Sequence, residues 1–108
     1  MQVSEAAWTD IEKTIARTAF DQAYRREIEA LLKHVQAEAS TLAELNDLWR
    51  LHDFLSAKRH QIEGKYGYEY AALPFVFAGL VKEGWLHLNE LEGLSQDKLA
   101  KISSLARM

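Results

Sequence analysis

Between positions 47 and 66 the chain reads DLWRLHDFLSAKRHQIEGKY, which gathers Trp49, His52, Asp53, Arg59 and His60 into twenty residues. A histidine beside a carboxylate is the pairing of a general base with its orienting partner, and Arg59 could hold an anion. His52, Asp53 and His60 are also metal-ligand types. The spacing argues against both chemistries. Adjacent helical residues diverge by about 100°, so His52 and Asp53 are poorly aimed at one another. The two-histidine i,i+4 pattern that places ligands on one face is missing, because position 56 is serine. No glycine-rich phosphate loop or activated-hydroxyl motif accompanies them. The residues therefore predict no catalytic group and no metal site.

The stretch is spelled as a helix, and helical geometry sorts its side chains. Leu48, Leu51, Leu55 and Ile62 fall in one narrow stripe, the expected packing face. Arg50, Lys58 and Gln61 point away and read as solvated. Between them lies a third strip of Trp49, His52, Asp53, Ser56, Arg59 and His60, within about 100° of arc. Two readings of this strip stay open on the residues alone. It is either the rim of a core, with local packing and ion pairs, or a surface that docks another protein. Trp and Arg are the types that dominate interface hot spots, one as a rigid apolar anchor and the other as a planar fork.

The elements around it read as helices too. Thr9 to Glu12 has the form of a capping box, and from there Ile11, Ile15, Tyr24, Ile28, Leu31, Leu32 and Val35 predict one apolar stripe on a helix running to about residue 39. Arg17, Asp21, Arg25, Glu29 and Lys33 belong to its solvated side. Thr41 to Glu44 repeats the capping form and predicts the start of the second helix, with Gly64 as its left-handed stop. The short connection makes these two helices an antiparallel hairpin. Such a hairpin has more apolar edge than its own two helices can cover. Pro74 suits the first turn of a third helix that Gly84 ends, WLHLNELEGL gives a short helical turn, and Ser95 caps a last helix. The expected fold is all-α: a hairpin unit over 1–66 and a small C-terminal helical head over 67–108, packed on its end as a single structural unit.

Composition narrows the partners. Sixteen acidic against thirteen basic residues give a formal charge of -3 with no basic block, which argues against nucleic acid as the main partner. The absence of cysteine rules out disulfides and thiolate metal sites. The first ten residues lack the basic start and apolar run of a secretory signal. The longest nearly apolar run, residues 70 to 81, is about half of what spans a bilayer. A soluble chain with no integral membrane segment is expected.

The same twenty residues, with AYRREIEALLKHVQAEAS upstream, FVFAGLVKEG downstream and the ending KISSLARM, resemble the fluorescence recovery protein family of cyanobacteria over almost the whole chain. The resemblance implies a small all-helical homodimer without enzymatic chemistry, cofactor or bound pigment. It implies binding to the C-terminal domain of the photoactivated, red orange carotenoid protein. The partner then returns faster to its orange form and leaves the phycobilisome, so that antenna fluorescence recovers. The implied location is cytoplasmic, peripheral to the thylakoid membrane near the phycobilisomes. By the same resemblance Trp49, His52, Asp53 and Arg59 carry over as partner-binding residues, with Phe75 and Lys101 in the head. Leu32, Leu42, Leu48 and Trp49 are the expected dimer contact. A helical homodimeric adaptor or scaffold for another client is the alternative.

Overall fold

In the computed structural model, which describes residues 7–108, Thr9 and Glu12 open the first helix as their spacing predicts. The Thr9 hydroxyl accepts the Glu12 N–H at 3.1 Å, and Glu12 Oε1 accepts the Thr9 N–H at 3.0 Å. The first six residues of the expected 1–66 unit, and most of the stretch read for a signal, lie outside the described residues. Four helices follow in order: α1 (Asp10–Ser40), α2 (Leu45–Lys65), α3 (Leu73–Glu83) and α4 (Gln96–Ala106), with a 3-10 turn at Leu88–Leu91. The architecture of the described residues is all-helical, as expected, and none of their helices is long and apolar enough to cross a membrane. The molecule is drawn out to 53 × 25 × 23 Å, with a radius of gyration of 16.9 Å. A compact chain of this length would have about 13 Å. That elongation arises because α1, about 46 Å long, serves two different neighbours along its length.

The N-terminal half of α1 belongs to the head. Ala16, Ala19, Phe20 and Ala23 are buried against Leu73, Phe77, Ala78, Leu80, Leu86, Leu91, Leu94 and Ile102. Small residues on this face let the helix backbone approach its neighbours closely. The expected stripe of large aliphatics is not the core face here: Ile11 is 72% exposed, and Tyr24 and Leu32 are exposed as well. At 100° per residue, the line from Tyr24 through Ile28 and Leu31 to Val35 sits about 100° around the helix from the alanines. A single stripe of large aliphatics is therefore the wrong description of the face α1 packs with.

Two other expectations change. Thr41 is the C-cap of α1, its hydroxyl donating to the Glu38 carbonyl at 2.9 Å, so it is not free to start α2. The start of α2 is instead held by Asp47, whose Oδ2 accepts the Ala43 and Glu44 N–H groups at 3.1 and 3.0 Å. Those two amides hold the Asp47 carboxyl below its ordinary value. Gly64 remains helical; the left-handed glycines among the described residues are Gly84 (φ 87°) and Gly93 (φ 106°). The helix ends because Tyr66 is claimed by α1. Its ring meets Phe20 and Tyr24 edge-on at 5.5 and 5.1 Å, and its hydroxyl donates to Glu27 at 2.7 Å. Pro74, Gly84 and Ser95 act where their types predict: the proline in the first turn of α3, the glycine at its end, the serine capping α4.

From Tyr66 the chain runs along α1 as an irregular strap, with tyrosines at every second position, Tyr66, Tyr68 and Tyr70. Tyr68 meets Phe20 at 4.9 Å beneath Arg17, and Tyr70 meets Trp8 at 5.5 Å. Two carboxylates sew the head to α1. Buried Glu12 also accepts from the Ser95 N–H at 2.8 Å and from Lys98 Nζ at 3.1 Å. Arg26 grips Glu90 through two bonds of 2.7 and 2.8 Å and donates to the Trp85 carbonyl at 3.0 Å.

The Arg26 bonds hold the Glu90 carboxyl down to about 2, against an ordinary value of 4.5. The unfolded chain therefore takes up this proton first. The stabilisation is full above about pH 4.5 and is lost as pH falls through about 2. Thermal melts across that window should show a shallower acid loss for Glu90→Gln than for the parent protein; parallel curves would refute the coupling.

Candidate functional site

Helix α2 has no buried residue in its own chain. The line it turns toward α1 is Asp47, Leu51, Phe54, Lys58 and Lys65, repeating at steps of three, four and seven. Phe54 meets the His34 ring of α1 at 5.0 Å. Lys58, expected to be solvated, reaches Glu27 of α1 at 3.6 Å. The reason is positional: Glu27 continues the alanine face of α1 and is 1% exposed, so a buried negative charge draws in the nearest cations. Lys65 Nζ donates to Glu27 at 2.7 Å and to Glu83 of α3 at 2.9 Å. Burial pushes the Glu27 carboxyl up, but Lys65, Tyr66 and Lys58 more than offset this and hold it below its ordinary value. The same burial and the bond to Glu27 push the Tyr66 phenol up, keeping it a donor.

The expected packing stripe divides. Leu51 and Ile62 are half-buried, whereas Leu48 and Leu55 are exposed. Leu45, at 64% exposure, extends this apolar edge toward the strip, three and four residues before Leu48 and Trp49, a spacing that signals its place. The strip itself is entirely at the surface. Trp49 is 53% exposed and meets the His52 ring edge-on at 6.5 Å. His52 Nδ1 and Asp53 Oδ1 are 3.4 Å apart, so the neighbours do reach one another, at the outer limit of a hydrogen bond and in full contact with water. Arg59 Nε donates to Glu63 at 3.0 Å, one turn on. Nothing desolvates or aims these groups as acid–base catalysis would require. Leu32 on α1 and Leu42 in the turn are exposed as well.

The head carries a second surface, and the fold assembles it from two helices. Phe75, next after the buried Pro74, points outward from α3 and is 55% exposed. Lys101 of α4 stands with its Nζ 4.8 Å from the Phe75 ring centroid. Two residues 26 positions apart thus form one exposed aromatic–cation pair.

Residues 8–106 match the family model described as "Photoprotection regulator fluorescence recovery protein". The chain is 49% identical to the fluorescence recovery protein of Synechocystis sp. (strain ATCC 27184 / PCC 6803 / Kazusa), over 100% of this chain and 99% of that protein. It is similar in structure to the Fremyella diplosiphon fluorescence recovery protein, with a TM-score of 0.91 at 60% identity. The Synechocystis sp. PCC 6803 structure matches with a TM-score of 0.91 at 50% identity. Each superposition covers 94% of this chain and 99% of the other.

An exposed aromatic–cation pair adds about 0.5–1 kcal/mol to stability. Phe75→Ala should therefore change unfolding free energy in urea by less than about 1 kcal/mol. Phe77→Ala, two positions on but fully buried, should cost about 3–5 kcal/mol. Equal losses would make Phe75 a packing residue rather than a surface one.

Proposed function

The chain belongs to the fluorescence recovery protein family, a family of photoprotection regulators, and from that premise we propose that it acts by protein binding alone. Its client is the red, photoactivated orange carotenoid protein, engaged through that partner's C-terminal domain. Binding speeds the client's return to the inactive orange form and its detachment from the phycobilisome, at the cytoplasmic side of the thylakoid membrane. The observation that carries this reading is a whole helix, α2, that has no fully buried residue in its own chain while displaying Trp49, Leu45 and Leu48 to water. Apolar surface of that extent on a small chain marks an interaction site.

The surface divides between two occupants. A second copy of the chain covers the apolar edge of Leu32, Leu42, Leu48 and Leu55, forming a twofold homodimer in which each residue set meets its own counterpart. Trp49 borders that contact. The polar strip of His52, Asp53 and Arg59, with Phe75 and Lys101 on the head, is left for the client. A binder accelerates an interconversion by holding the transition-like arrangement more tightly than the starting one. This requires no bond making and no cofactor.

Leu48→Glu should place a charge in the dimer contact and shift the protein to monomers, as read by light scattering at micromolar concentration; an unchanged dimer mass would move the contact elsewhere. Arg59 is suited to test docking because its pair with Glu63 is exposed and contributes little to folding. Arg59→Leu should weaken client binding at least about thirtyfold and slow red-to-orange recovery in darkness, with dimer mass and helicity kept. Arg50→Ala, on the opposite side of α2, should recover at the parental rate. Full acceleration by the Arg59 variant would make the strip a structural rim.

A further inference from the structure

Three attachments from the far end of α2 and the strap converge on one group. Lys58, Lys65 and the Tyr66 hydroxyl all engage the Glu27 carboxylate, and Lys65 also joins Glu83 of α3. Because α2 buries no side chain in its own chain, hydrophobic packing within the protomer does little to set its orientation. A buried carboxylate with partners in place is tolerated, but one that loses a partner is penalised heavily. Partly satisfied arrangements are therefore disfavoured, and the junction is held in one geometry.

From this we infer that Glu27 is a positioning residue: it fixes the α2 strip relative to the head, and so sets the spacing between the two surfaces offered to the client. The inference rests on the reading that both surfaces dock, yet its geometric half needs no client. Three elements report to the one carboxylate: α2 through Lys58 and Lys65, the strap through Tyr66, and α3 through the shared Lys65.

The absence of cysteine allows clean spin labelling. Labels at Arg50→Cys on α2 and Ala100→Cys on α4, with labelled chains diluted into unlabelled protein, report the distance within one protomer. The parent should give a narrow distribution. Glu27→Gln keeps the shape and removes the charge; it should broaden that distribution while helicity stays at the parental level. Lys65→Met, which leaves Glu27 with its other partners, is the second variant should Glu27→Gln not fold, and it should broaden the distribution likewise. Phe77→Ala weakens the head core without touching Glu27, and should lower the melting temperature with the distribution still narrow. A narrow distribution in both Glu27→Gln and Lys65→Met, or equal broadening in Phe77→Ala, would overturn the inference. Recovery kinetics are read separately. Broadened distances with parental acceleration would overturn the link between spacing and docking, whereas a parent that fails to accelerate would sink the proposed function and leave the distance result to stand by itself.

Discussion

The Glu27 carboxylate lies buried in the protein and is held there by Lys65, Tyr66 and Lys58 together. Two of these come from α2 and the third begins the strap, so a single charge decides where the second half of the chain departs from α1. Upstream of Glu27 on α1, the alanines and Phe20 are covered by the head. Downstream, α1 pairs with α2 through Glu27 and His34. The elongated shape follows from that division, because a helix that gives successive parts of its length to two neighbours cannot sit at the centre of one globule.

The two halves are held by different physics. In the head, burial of Leu73, Phe77, Leu80, Leu86, Leu91 and Ile102 supplies the stabilisation, and Glu12 and Glu90 fasten its edges to α1. In the hairpin the connections are ionic and aromatic, and most aliphatic side chains of α2 face outward. A helix proposed to bind through its surface needs its apolar residues outside rather than inside. The same arrangement leaves α2 weakly supported until something covers it.

Local signals are legible in the sequence wherever a residue acts on its own backbone. Thr9 with Glu12, Pro74, Gly84 and Ser95 all sit where their chemistry predicts, because capping and turn preferences depend on neighbours within four residues. The exposed strip of Trp49, His52, Asp53 and Arg59 is also legible, since helical spacing alone separates it from the packing line. Misreadings occur where a distant partner decides. Lys58 is spelled like any solvated lysine, and only Glu27, 31 positions earlier in the chain, turns it inward. Thr41 and Gly64 fit capping patterns, yet α1 claims the first and Tyr66 ends the helix past the second. The alanine face of α1 is hidden because large aliphatics dominate the periodicity. Phe75 and Lys101 stand far apart in the sequence; that they form one surface is a property of how α3 crosses α4.

The central claim is that α2 depends on a second copy of the chain to cover its apolar edge. Hydrogen exchange of the α2 amides, followed through a dilution series across the dimer dissociation range, tests it most directly. The account predicts that amides of residues 45–65 lose protection as the protein is diluted, while those of α3, buried in the head of a single chain, keep theirs. Protection of α2 that is independent of concentration and equal to that of α3 would mean that the helix is stable within one chain, and would contradict the account.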